Sequence, residues 1–225
     1  MFSVTVGVLA GFAAGSPAEA APSVVLTSSL AENSRLGEGT VATAKLDIEG
    51  TEYGGFPPAL IGATLRLPAG TVVSPAGFPT CSGMTLQNAG PAGCPAASRA
   101  GPTTSFRVAV SFGTERVPEN GSVMPFFSPE GGVLLYFEAH SPAQLEFVAL
   151  GHYEPPIPPF GPALKLEIPL VETVPGAPFA SFKELTVGLG AFREEARPPC
   201  WERDRAGRMS SRRIRLADRQ LVLGP

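Results

Sequence analysis

The sequence predicts an all-β chain, an antiparallel β-sandwich or jelly-roll-like domain with long Gly/Pro-rich loops. Three observations lead there. Apolar residues recur with a period of two in segment after segment, and 26 Gly and 25 Pro punctuate those segments at short intervals. Before Glu194 no segment shows the 3.6-residue period with caps that marks a helix. A hydrophobic content of 44%, with 14 Phe, supplies the material for a core in a chain of 225 residues. That length suits one large β domain, here assigned to residues 21–192.

Taken in order, Met1 to Ala21 carries an apolar run from Phe2 to Ala14, then Ser16-Pro17 and the small-x-small series Ala18-Glu19-Ala20. This is the pattern of a secretory signal peptide over residues 1–20, although no Lys or Arg precedes the run, which leaves open a start further upstream. A buried N-terminal strand is the competing reading. The run falls short of the ~20 apolar residues that a bilayer span needs, so no stable membrane span is expected after cleavage.

Ser23 to Leu30 is short and apolar, and Leu36-Gly37-Glu38-Gly39 turns the chain. In Thr40 to Glu49, Ala42, Ala44, Leu46 and Ile48 alternate with polar residues, as a strand with one wet face requires. The same pattern puts Ile61, Ala63, Leu65 and Leu67 inward in the next strand. Phe106, Val108, Val110 and Phe112 give the clearest strand, Ser105 to Phe112. Asn120-Gly121 predicts a tight hairpin at residues 118–121, and Pro129-Glu130-Gly131-Gly132 a second. Val133 to His140, apolar on both faces, reads as a central strand covered on each side. Ser141-Pro142-Ala143 turns the chain into Gln144 to Tyr153. Glu154 to Pro162, with five prolines, reads as a loop because proline lacks the donor of a ladder. Leu164 to Leu170 and Ser181 to Leu189 close the series of some eight to ten strands.

Between the second and third of the strongly alternating strands lies Phe78 to Gly101, rich in turn formers and carrying Cys81 and Cys94. An export signal upstream favours a Cys81–Cys94 disulfide there over two buried free thiols. Such a bond closes a loop of about 14 residues, worth on the order of 3 kcal/mol in the chain-entropy account. Cys200 is left over.

Chemistry is harder to find. Charged residues make up 16% of the chain and the net charge is −3, so nucleic acid is not an expected partner. No G-x-S-x-G nucleophile turn and no phosphate-binding glycine loop is present. The one set with metal-ligand chemistry is Glu138, His140, His152 and Glu154. If residues 141–143 form a turn, His140 and His152 stand roughly 26 Å apart at strand rise, too far for one ion. No metal and no cofactor is expected. Among aromatic platforms, Tyr53 with Phe56 in the Gly50–Pro58 loop is the best exposed pair, weighed against a loop that merely caps the end of the domain.

Composition changes after Cys200: seven arginines lie between Arg203 and Arg219, and Trp201 stands beside them. Residues 193–225 are an Arg-rich tail open to three readings: a solvated basic tail, a short segment touching anionic wall polymer, or a shift of reading frame.

At FPTCSG (78–83), GPAGCPAASRAG (90–101) and IPLVETVPGAPFASF (168–182) the chain resembles a group of uncharacterised secreted β-sandwich proteins of high-GC, actinobacterial-type bacteria, over roughly Val41 to Phe192. The resemblance implies fold and export and transfers no functional residue. The expectation is a secreted or cell-surface, non-catalytic structural or binding module, its partner a cell-wall polymer or another envelope protein. A secreted hydrolase acting on a polysaccharide or ester is the rival.

Overall fold

Phe106, Val108 and Val110 are fully buried in the strand Thr104–Phe112, and the residues opposite them across the ladders share their face. The computed structural model describes residues 22–31, 40–112 and 115–190, together with two short strands at 202–203 and 209–210. The strands are β1 Ser23–Leu30, β2 Val41–Glu49, β3 Gly62–Arg66, β4 Thr104–Phe112, β5 Glu115–Phe127, β6 Val133–Ala139, β7 Leu145–Glu154, β8 Ala163–Glu167 and β9 Ser181–Gly190. A separate two-stranded ribbon joins β10 Glu202–Arg203 to β11 Met209–Ser210.

The nine principal strands form one antiparallel sheet in the order β1-β2-β9-β4-β5-β6-β7-β8-β3, curled into a half-barrel. The all-β antiparallel class is therefore as expected, but the two facing walls belong to one continuous ladder. Ring contacts show how far the sheet rolls over. Phe147 on β7 and Phe182 on β9 are four strands apart, roughly 19 Å in a flat sheet at the usual strand spacing. Their ring centroids lie 6.5 Å apart, with Phe137 between them at 4.5 and 5.7 Å. Aromatic side chains meeting stacked (Phe137 on Phe147) and edge to face (Phe182 against both) inside the curl, together with Leu135, Leu164, Leu166, Leu185 and Val187, make the main core.

The central strand reading of residues 133–140 holds for a physical reason. Val133, Leu135 and Phe137 point into the curl, whereas Leu134 and Tyr136 point outward with Met124 and Phe126 of β5. A second, smaller core covers them, built from Cys81 and Leu86 of the 78–101 crossover.

That crossover holds a helix where only turns were expected: α1, Gly83–Ala89, followed by 3-10 turns at Pro91–Gly93 and Ala96–Ser98. Its caps are legible in the sequence. Ser82 Oγ accepts from the Thr85 amide at 3.1 Å, and Gly90 at φ 62° ends the helix with its amide donating to Leu86 O. Only Leu86 is buried along the seven residues, so no apolar period exists to announce the helix. The crossover is stitched to the sheet by the Cys81 amide to Phe127 O and the Ala100 amide to Pro125 O, both 2.9 Å.

Three expectations are corrected. Asn120-Gly121 is no hairpin; it lies inside β5, with Gly121 opposite Phe106. A β-carbon at Gly121 would collide with the Phe106 ring and with Glu138 O, so the glycine makes room for an aromatic ring. Pro118 is tolerated nearby because residues 115–121 pair only with β4, leaving one side of the strand without a ladder. Ile61 is 68% exposed, at the margin of an edge strand with nothing packed over it, and Leu170 is exposed beyond the end of β8. The hairpin at 129–132 is present, with Gly131 at φ 79° and the Ser128 amide donating to Gly132 O. Among the described residues no helix is long and apolar enough to cross a membrane. The assigned signal peptide, most of the Arg-rich tail, Cys200 and Trp201 lie outside the described residues.

Candidate functional site

The singled-out residues fall into four places. Cys81 and Cys94 stand at disulfide distance, with Cα atoms 5.4 Å apart, at the margin of the outer core. The bond ties the start of α1 to the turn that follows it, and its surroundings are apolar: Leu86, Met124, Phe126, Leu134 and Tyr136. This is a structural position.

Tyr53 and Phe56 are held from below, with Tyr53 still 37% exposed. Arg116 of β5 lies over both rings, 5.6 and 4.9 Å from their centroids, and Lys183 Nζ lies 5.7 Å from Phe56. The Arg116 guanidinium also donates to the carbonyls of Tyr53, Ala109 and Phe179 and to Ser181 Oγ, at 2.9 to 3.1 Å. One side chain thus ties the 50–58 loop to β4 and to the start of β9.

Register separates the histidines. Val133 faces Gly151 and Ala139 faces Leu145, so His152 lies at one end of the β6–β7 hairpin and His140 at the other. Glu138 accepts from Ser122 Oγ at 2.9 Å, and Glu154 pairs with Ala163 in the ladder. Among the described residues no three His, Cys, Asp or Glu are grouped to hold a metal ion.

Two depressions stand out among the described residues. The first, about 470 Å³, opens where Thr71, Val72, Val73 and Pro75 meet the 131–132 turn, Tyr153, Pro156 and Pro162. Its wall is mostly apolar, and its one ionisable group is the Tyr153 phenol, which burial pushes up to about 12. At neutral pH that phenol can donate a hydrogen bond and cannot act as a base. An apolar wall, turn backbone and a neutral phenol, whose ring also packs against the main core, suit the holding of a ligand.

A second cleft, about 340 Å³, lies at the end of β6, lined by Asn120, Gly121, Ser122, Glu138, His140 and Ser141 among others. Beside it is a group that sequence reasoning missed. Glu119 is 1% exposed, on the core face of β5 opposite Val108, and neither carboxylate oxygen has a hydrogen-bond partner. Burial raises its pKa; the amides of Ala143 and Ser141 and the His140 ring draw near enough to oppose that without forming a bond of good geometry. The signal was there: Val117, Glu119, Gly121 and Val123 alternate, so a carboxylate occupies an inward position. Reading residues 118–121 as a turn concealed it.

Against protein-family models, curated proteins and solved structures, the chain finds no match.

Proposed function

We propose that this chain is an exported, non-catalytic structural or binding module of the cell envelope or extracellular space. The observation that carries the reading is the Tyr153 depression, whose lining of Val72, Val73, Pro75, Pro156 and Pro162 around a neutral phenol provides contact surface and a hydrogen-bond donor without a nucleophile or an acid-base pair. Export is supported by the small-x-small series after an apolar run and by a cysteine pair at disulfide distance, and the likeness to secreted β-rich proteins of high-GC bacteria points the same way. A cell-wall polymer or another envelope protein is the partner this compartment offers.

A second reading, a secreted hydrolase of polysaccharide or ester, is favoured by one feature only: Glu119, a carboxyl held toward its protonated form beside Glu138 and His140. The two readings separate in one pair of measurements. Purified cell wall is expected to retain the chain, with Tyr153→Ala reducing retention several-fold, while chromogenic esters and glycosides are not turned over. Turnover abolished by Glu119→Gln, with wall retention absent, would replace the first reading by the second.

A further inference from the structure

The sheet has two edges, and they are finished differently. Edge strand β3 is five residues long, carries Arg66, and runs into Pro68. Its end is tied down by the Leu67 amide to Pro162 O and the Gly161 amide to Leu67 O, both 2.9 Å. Shortness, charge and proline are the devices by which a sheet edge avoids pairing with another chain. Edge strand β1 has none of them. Its eight residues, SVVLTSSL, include no charge and no proline, and every one is exposed on a strand that, among the described residues, pairs only with β2.

The side chains of β1 are also out of place for a solvent edge. Val24 faces Ile48 and Leu26 faces Leu46 across the ladder, and both β2 residues belong to the core inside the curl. Val24, Leu26 and Leu30 therefore continue the core face outward, yet are 56%, 53% and 57% exposed. An uncharged ladder edge and an uncovered extension of the core occur on the same strand.

We propose that β1 pairs antiparallel with β1 of a second copy of this chain, about a two-fold axis through Thr27. Antiparallel pairing of a strand with itself is a same-surface contact and closes as a dimer. With Thr27 on the axis, Val24 stands opposite Leu30 of the second copy at both ends, Leu26 opposite Ser28, and Val25 opposite Ser29. Even-numbered residues face even-numbered ones, so the apolar faces of both copies lie on the same side and the two cores join. A slip of one residue would put them on opposite sides of the joint sheet. A second copy is the occupant because the strand complements itself: apolar ends meet apolar ends, Thr meets Thr, and no like charges come together.

The test uses the full chain carrying Cys200→Ser, so that no cross-link arises through that thiol. Sedimentation equilibrium is expected to give twice the monomer mass, and Leu26→Lys, which introduces the charge this edge lacks, is expected to give the monomer. Independently, Thr27→Cys under mild oxidation is expected to yield an interchain disulfide, whereas Ser23→Cys, whose two copies would lie about 27 Å apart at eight residues of strand rise, does not. A protein that stays monomeric at the highest concentration it tolerates overturns the proposal, as does equal cross-linking at positions 23 and 27. A dimer unaffected by Leu26→Lys overturns it too, by placing the contact elsewhere. Because Thr27→Cys alters one exposed side chain, the cross-linking arm stands even if Leu26→Lys misfolds.

Discussion

Glu119 and Arg116 lie three residues apart on β5 and show two outcomes for a charge inside a β protein. Arg116 reaches four acceptors and two aromatic rings, so its burial is largely compensated, with Nε alone left without an acceptor and burial lowering its pKa. Glu119 reaches none, and burial favours its neutral form. The consequence for stability has a definite sign. The folded-state pKa lies above that of the unfolded chain, so the folded form holds the proton more tightly. The contribution is complete below about 4.3, the ordinary glutamate value, and is lost as pH rises through the raised value. Stability should therefore fall from mildly acid toward neutral pH. Glu119→Met, similar in volume and free of the charge, is expected to remove that fall and to stabilise the chain at neutral pH by about 1–3 kcal/mol. Urea denaturation of both forms at a series of pH values checks this; parallel curves would mean that Glu119 binds its proton equally in the folded and the unfolded chain.

At the scale of elements, the 78–101 crossover depends on two restraints. One is the cap pair Ser82 and Gly90 around α1; the other is the Cys81–Cys94 pair that fixes the ends of the helical segment. Leu86, fully buried, is the anchor that the helix sets into the outer core. Replacing both cysteines by alanine is expected to cost about 3 kcal/mol, the value for closing a loop of this length. The loss should appear first as proteolytic cleavage within residues 83–98, while the strands inside the curl remain protected. Cleavage spread over the whole chain at the same denaturant concentration would show that the crossover is no separate unit. Most of this element was legible: cysteines among turn formers in Phe78 to Gly101 marked a clamped connection. The helix was not, because a seven-residue helix with one buried side chain leaves caps and no periodicity.

For the whole molecule, the curl makes one sheet act as both walls of its own core. Protection against hydrogen exchange should follow from it. Strand β6 and those parts of β4, β5 and β9 that carry a ladder on each side hold the most deeply buried residues, so their amides are expected to open only with global unfolding. Strand β1, exposed on both faces, is expected to exchange fastest of the nine in dilute solution and to slow as concentration rises if it pairs with a second copy. Exchange measured by mass spectrometry at two concentrations checks both. Slow exchange in β1 at all concentrations would contradict its place as an open edge.

By itself, the sequence determined most of the strands, most of their inward faces and the clamped connection, because a period of two and the placing of Gly, Pro and Cys are local consequences of backbone geometry. Phe106, Val108 and Val110, or Leu164 and Leu166, needed no tertiary information to be placed inside. Only the tertiary structure decided that the walls are one sheet, that Gly121 serves a ring fifteen residues away instead of a turn, and that Glu119 is enclosed while Ile61 is not. Those facts depend on which strands become neighbours and how far the sheet rolls. A glycine reads alike in a turn and beneath an aromatic ring until its cross-strand partner is known.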